Sequence, residues 1–244
     1  MSAKHVDSDR RRSRPVEKVS VKKKMKRNKP AMFLAIFIIV MLLLSGLWVI
    51  FSSLNSDEDK DNSTFEEDNP IAVFDTSMGE FKVELYLDKV PITAGNFIDL
   101  ANEEYYDGVI FHRVIEDFMI QGGDPLGTGY GGHAAEYHEG YGDPDNPDTW
   151  VIPDEFDSDL SNVRGTISMA NSGPNTGGSQ FFINVVSNTH LDYNKDPSTS
   201  KHAVFGKVTE GMDVVDSISE VSTDPTNNKP YTDVVINSIT ILEE

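Results

Sequence analysis

Two stretches of this sequence place polar side chains where an apolar strand has no use for them. In Phe111-His112-Arg113-Val114-Ile115-Glu116-Asp117-Phe118-Met119-Ile120-Gln121-Gly122-Gly123-Asp124, an Arg and a Gln sit among aromatic and aliphatic residues. A strand turns alternate side chains to one face, so Arg113, Phe118 with Ile120, and Met119 with Gln121 cannot all share one core. Some of them must line a surface groove. The second stretch, Ser168-Met169-Ala170-Asn171-Ser172-Gly173-Pro174-Asn175-Thr176-Gly177-Gly178-Ser179-Gln180-Phe181-Phe182-Ile183, adds a Gly-rich loop beside another Gln and two Phe. A guanidinium is always protonated and presents a rigid fork of donors, so Arg113 can hydrogen-bond an electron-rich atom seated in an apolar notch. A structural ion pair is the bland alternative for Arg113, and period alone puts Phe118, Met119 and Phe182 in a core.

Other chemistries fit less well. The glycines suggest a phosphate cradle, but no Lys precedes Ser179 and G-x-x-x-x-G-K-[ST] is absent. With no cysteine in the chain, disulfides, thiolate zinc sites and a Cys nucleophile are excluded. His133, Glu136, His138 and Glu139 offer imidazole and carboxylate. Their spacing matches no H-E-x-x-H helix, and the surrounding glycines point to a solvated loop. The acidic run from Asp143 to Asp159 lacks the glycine and terminal Glu of an EF-hand.

The elements that must position these residues are short. Ile71 to Thr76 and Glu80 to Leu87 read as strands joined at Met78-Gly79. Pro91 opens a helix in which Ala94, Phe97, Ile98 and Ala101 recur at helical spacing through about Glu104. Apolar runs follow at Val109 to Ile115, Phe118 to Gln121, Gly165 to Ala170, Phe181 to Val185 and Val204 to Val208. A second helix is expected at Met212 to Ser219, and Asp233 to Leu242 alternates like a last strand. Many short strands, two helices and no repeating strand-helix unit predict a mainly β domain: a closed antiparallel barrel with helices outside it.

The domain is one part of a divided chain. Of 244 residues, 21 are basic and 40 acidic, but residues 1–30 carry 12 basic and 3 acidic ones. Ala31 to Phe51 contains no charge over 21 positions, long enough to cross a hydrocarbon core as a helix. The reading is an uncleaved signal-anchor with residues 1–30 in the cytoplasm under the positive-inside rule. The position of the basic cluster favours topology over nucleic-acid binding. Residues 52–69 hold seven acidic residues and one Lys and form a solvated spacer. Residues 70–244 are enough for one domain, whose 8 basic and 30 acidic residues give it a charge of -22. That charge repels nucleic acid and anionic lipid.

In the pair FHRVI..FMIQGGD and SMANSGPNTGGSQFFI the sequence resembles the cyclophilin family of peptidyl-prolyl cis-trans isomerases, and the resemblance runs from Ile71 to Leu242. The resemblance implies a barrel of eight antiparallel strands capped by two helices, with a proline-binding groove on its outer face. It implies a site made of Arg113 and Gln121 as catalytic residues, and of Phe118, Met119, Ala170, Asn171, Gln180, Phe182, Leu191 and His202 as substrate-binding ones. No metal or organic cofactor is implied. The expected partners are proline-containing segments of unfolded exported proteins, met by a monomeric enzyme held by one transmembrane helix at the outer face of a bacterial-type membrane. The alternative is a non-catalytic proline-peptide receptor or chaperone using the same groove. Two departures stand out. His190 replaces the Trp that many members carry before Leu-Asp, which implies weak cyclosporin inhibition. Insertions at Gly127 to Trp150 and Tyr193 to Ser200 border the groove and bear on substrate choice. His112 is expected to be a satisfied barrel histidine.

Overall fold

The computed structural model describes residues 69–195 and 201–242. The expected basic tail, apolar span and nearly all of the acidic spacer lie outside the described residues, as does most of the Tyr193 to Ser200 insertion. Among the described residues, no helix is long and apolar enough to cross a membrane.

The strands are β1 (Ile71–Thr76), β2 (Gly79–Leu85), β3 (Arg113–Ile115), β4 (Met119–Gly122), β5 (Thr166–Met169), β6 (Phe181–Asn184), β7 (Val204–Glu210) and β8 (Ile236–Leu242). They form one antiparallel sheet in the order β3-β4-β6-β5-β7-β2-β1-β8. Closure by a continuous ladder, expected from the sequence, is not what forms. β3 and β8 are the two edges of the sheet. The seam between them is a single Ile110–Val235 bridge, flanked by Phe111 N–H donating to the Val234 carbonyl at 3.0 Å and Ile236 N–H to that of Val109 at 2.8 Å. The cause is a divided strand. The expected Val109 to Ile115 run gives its first half to the seam and only its last three residues to β4. The result is a half-barrel of eight antiparallel strands.

Alternation along each strand builds the core. Phe74, Phe81, Val83, Leu85, Ile120, Ile167, Phe181, Ile183 and Phe205 are buried together. The Phe181 ring meets Phe74, Phe97 and Tyr106 edge-on at centroid distances of 5.8, 5.5 and 5.7 Å. Such ring pairs add roughly 0.5–1.5 kcal/mol each beyond the area they bury.

Helix α1 (Pro91–Asn102) starts with Pro in its first turn, and Glu155 Oε2 accepts the Thr93 N–H at 2.9 Å, satisfying a donor the helix itself cannot. It stops where Glu104 adopts a left-handed φ of 58° and Tyr105 N–H returns to the Leu100 carbonyl. Its apolar face, Ala94, Phe97, Leu100 and Ala101, packs against β7 and β8. Helix α2 (Met212–Ser219) follows Gly211, which has a φ of 75° and passes so near β2 that a Cβ there would lie 2.6 Å from the Glu80 carbonyl oxygen. A two-pronged Arg164–Asp216 pair at 2.8 and 2.7 Å ties α2 to the segment before β5.

Candidate active site

The register sets one row of side chains across the outer face of the sheet. Arg113 lies opposite Gln121, Gln121 opposite Phe182, and Phe182 opposite Ser168. Met119 is two residues from Gln121 and shares its face, while Ile120 between them points into the core at 0% exposure. A three-residue connection with Asp117 at φ 55° turns β3 into β4 and brings Phe118 to the same edge. Around this row opens a groove of about 210 Å³ lined by Arg113, Phe118, Met119, Gln121, Ala170, Asn171, Phe182, Leu191 and His202. Nine of the ten side chains expected from the sequence are thus brought together. Gln180 is set aside from them, lining an adjoining cavity instead.

Arg113 is the cation of the groove. Burial draws its guanidinium down from the ordinary 12.5, and a guanidinium keeps its proton across the physiological range. Its Nη1 donates to Gln121 Oε1 at 3.2 Å, which fixes one prong. Met119 and Phe182, 2% and 4% exposed, form a dry floor. The His202 ring stands edge-on to Phe182 at 5.1 Å, with Nδ1 2.9 Å from the Met169 carbonyl oxygen. Burial pushes the His202 pKa down against that carbonyl and Asp154, so the ring is neutral near pH 7 and serves as wall and hydrogen-bonding element. The Asn171 side chain donates to the Lys201 carbonyl at 2.7 Å, which pins the far wall. His190 stacks on Phe118 at 6.2 Å and 21°, covering the outer edge.

Beneath the groove lies a polar network that sequence reasoning missed. The Asp192 carboxylate accepts from Ser161 Oγ at 2.6 Å, Asn162 N–H at 2.7 Å and Asn162 Nδ2 at 3.0 Å. Ser168 Oγ donates to Asn162 Oδ1 at 2.8 Å, and Asn188 Nδ2 donates to Asn184 Oδ1 at 2.9 Å and to the Phe118 carbonyl at 2.8 Å. Asn162, Ser168, Asn184, Asn188 and Asp192 are all buried. Together they hold the backbone of Phe118, Leu191 and His202, three walls of the groove, in fixed relation. The available signal was the polar residue at Ser168 and Asn184 in otherwise apolar strands.

The adjoining cavity, about 190 Å³, was also missed. It is lined by Gln121, Gly129, Tyr130, Gly131, Gly132, Val151, Ala170, Asn171, Ser172, Thr176, Gly178, Ser179 and Gln180. The Gly-rich loop, which carries no phosphate motif, forms one wall of it. The turn after β4 packs tightly against this loop at Gly123, φ 87°, where a Cβ would lie 2.4 Å from the Ser179 carbonyl oxygen. Asp124 secures the facing loop. Burial alone would raise this carboxyl, but the N–H groups of Leu126, Thr128 and Gly129 and the Thr128 hydroxyl outweigh that and hold it at about 2.

Two other histidine-bearing stretches were singled out in the sequence. His112 is buried, yet neither ring nitrogen finds a partner among the described residues, so it is not the satisfied histidine expected. His112, just before β3, lies beside Gly129 in the Asp124 loop, where the Leu126, Thr128 and Gly129 N–H groups turn toward the carboxylate. In the His133–Glu139 loop, His133 Nδ1 meets the Ala134 carbonyl oxygen at 2.8 Å and His138 lies 3.9 Å from Glu136. No group of three or more metal-ligating side chains converges among the described residues.

A half-barrel of antiparallel strands with an apolar groove on its outer face and a guanidinium at the groove's edge defines a class of peptide-binding domain. The family described as cyclophilin type peptidyl-prolyl cis-trans isomerase/CLD matches residues 71–241, and the chain belongs to that family. A peptidyl-prolyl cis-trans isomerase-like 1 of Rhizopus delemar is 47% identical over 152 residues, covering 62% of this chain and 81% of that protein. The peptidyl-prolyl cis-trans isomerase CYP18-2 of Arabidopsis thaliana is 42% identical over 168 residues, 68% of this chain and 90% of that one. The crystal structure of a Cryptosporidium parvum cyclophilin type isomerase in the presence of the dipeptide Ala-Pro superposes with a TM-score of 0.60 at 32% identity, covering 71% of this chain and 99% of that one. The chain is a peptidyl-prolyl cis-trans isomerase.

Proposed function

We propose that Arg113 performs the isomerisation by favouring the twisted state of an X-Pro bond lodged in the groove. Rotation about that bond faces a barrier of about 18–20 kcal/mol because the nitrogen lone pair is delocalised into the carbonyl. A hydrogen bond to the prolyl nitrogen is possible only once the lone pair localises, so a donor placed there binds the transition state and not the planar ground states. Arg113 supplies that donor from the prong Gln121 leaves free. Phe118, Met119, Phe182 and Leu191 hold the pyrrolidine ring, and the Asn171 backbone aligns the substrate main chain. If the groove supplies about 5–7 kcal/mol, the rate rises on the order of 10⁴ to 10⁵ fold. The observation that carries this reading is a guanidinium fixed at 3.2 Å by Gln121 at the edge of an apolar notch.

The test is catalysis of X-Pro interconversion in a short peptide by wild type and Arg113→Ala. A loss of about 100-fold or more in kcat/KM, with an unchanged melting curve, is expected from removing one transition-state donor. Equal activity of the two proteins rejects the mechanism.

The place of action in this proposal is the outer face of a bacterial-type membrane, where the enzyme serves exported polypeptides that fold slowly at their prolines. What supports this is composition: an uncharged run of 21 residues at Ala31 to Phe51 directly after 12 basic residues. The full chain should sediment with membranes until detergent is added, and external protease should degrade the domain in intact cells. A chain that stays in the supernatant, or a domain protected from external protease, contradicts it.

A further inference from the structure

Gln180 stands off the proline groove, yet it is tied to Arg113 through one continuous chain of hydrogen bonds. Arg113 Nη1 donates to Gln121 Oε1 at 3.2 Å, Gln121 Nε2 donates to Gln180 Oε1 at 3.0 Å, and Gln180 Nε2 donates to the Gly131 carbonyl at 2.8 Å. The two ends of this chain are chemically fixed. A guanidinium can only donate and a backbone carbonyl can only accept. With both ends set, turning over either amide would place oxygen against oxygen or nitrogen against nitrogen, so a single orientation satisfies every link. That orientation is the one that offers Arg113 an oxygen.

The far end is also mechanically fixed. Gly131 passes so close to Asp124 that a Cβ there would lie 2.3 Å from Asp124 Oδ1. The same carboxylate accepts N–H groups of Leu126, Thr128 and Gly129, stapling the loop that carries Gly131. Gln121 and Gln180 are both half-buried.

We propose that Gln180 is a positioning residue for Arg113, acting through Gln121 from the anchored Gly131 carbonyl, and is not merely a wall of the substrate site. This rests on the reading that Arg113 is the catalytic residue. Without Gln180, the Gln121 amide loses its reason to keep oxygen toward Arg113, and the guanidinium loses its fixed prong. The reacting geometry then loosens while the apolar groove that binds the proline ring stays as it was.

The test measures two quantities on the full-length chain: the on-enzyme interconversion rate of an Ala-Pro-containing peptide by exchange NMR, and the Kd of that peptide by titration. The variants are Gln180→Met, which keeps length without hydrogen bonds, and Gln180→Glu, which can accept from Gln121 but faces the Gly131 carbonyl with a second acceptor. Both should slow interconversion on the order of 10-fold with Kd moving less than about 3-fold, the signature of lost orientation. In an Arg113→Ala background neither should slow it further. The proposal is overturned by an unchanged rate, by a weakened Kd with the rate intact, or by an undiminished effect without Arg113. Should Arg113→Ala alone prove as fast as wild type, the catalytic reading falls and the relay with it. An impaired Arg113→Ala beside unimpaired Gln180 variants removes the relay only.

Discussion

Arg113 and His190 show how much of the groove's behaviour rests on single side chains. Arg113 combines a permanent charge with a planar fork, and the fork lets one prong be held by Gln121 while the other faces the groove. His190 lies nearly parallel to Phe118 at the rim, where a smaller imidazole covers less of the ring than an indole would. Cyclosporin inhibition is therefore expected to be weak in the wild type and about 2- to 10-fold stronger in His190→Trp, since an added aromatic contact is worth about 0.5–1.5 kcal/mol. A titration of inhibition for both proteins checks this, and equally tight inhibition refutes it. At this scale the sequence was readable where alternation holds, within β4, but not at Phe118, which precedes the strand and joins Met119 in the groove and not Ile120 in the core. Met119 and Gln121 had to face away from Ile120, and they do. The direction of each amide was unreadable, since it depends on a carbonyl at Gly131, ten residues beyond Gln121 and 49 before Gln180.

Among elements, the connections after β4 and β6 matter as much as the strands. The β6–β7 connection carries Asn188, Leu191 and Asp192, and the polar network fastens it to Phe118 and Asn162. Removing the buried Asp192 carboxylate leaves the Asn162 N–H and the Ser161 hydroxyl without their acceptor and takes one of two from Asn162 Nδ2. Asp192→Ala is expected to lower stability by about 2–4 kcal/mol in denaturant titration and to weaken peptide binding through the displaced Leu191 wall. A change below 0.5 kcal/mol would show the network to be dispensable. The strand positions of Ser168 and Asn184 hinted at such a network, but its partners are drawn from four separate segments, and single-sequence spacing cannot join them. The seam failed for a related reason. Val109 to Ile115 has the apolar pattern of one strand, and only the competition between two neighbours, β4 and the residues before β8, divides it.

For the whole molecule, the described domain couples stability to pH through the buried His112 and Asp124 and the half-buried His202. Burial lowers the pKa of His112 and of His202 below the ordinary 6.5, with Arg113 and Lys229 adding to the effect at His112 and Asp124 opposing it. The unfolded chain therefore takes up protons at these histidines first as the pH falls. Stability should be full above about 6.5 and decline below it. Asp124, held at about 2 against an ordinary 3.8, adds about 2 kcal/mol that is present above 3.8 and lost as the pH falls through 2. Denaturation free energies from pH 8 to pH 2 should thus fall in two windows. His112→Gln should shrink the upper one, leaving the part that belongs to His202, and an unaltered upper window in that variant would contradict the assignment. The domain's charge of -22 was plain in the sequence, but which histidines are buried was a property of the fold.

What unites these scales is a guanidinium fork, fixed by Gln121, beside a dry apolar groove, and the Arg113→Lys variant separates the fork from its charge. The decisive measurement is the on-enzyme cis-trans interconversion rate of an Ala-Pro peptide, by exchange NMR, with peptide Kd determined alongside. The Lys variant should interconvert the bound peptide about 10- to 100-fold more slowly than wild type, with Kd within about 3-fold, because a point charge cannot keep one donor on Gln121 and aim another at the prolyl nitrogen. Interconversion as fast as wild type in the Lys variant would contradict the account.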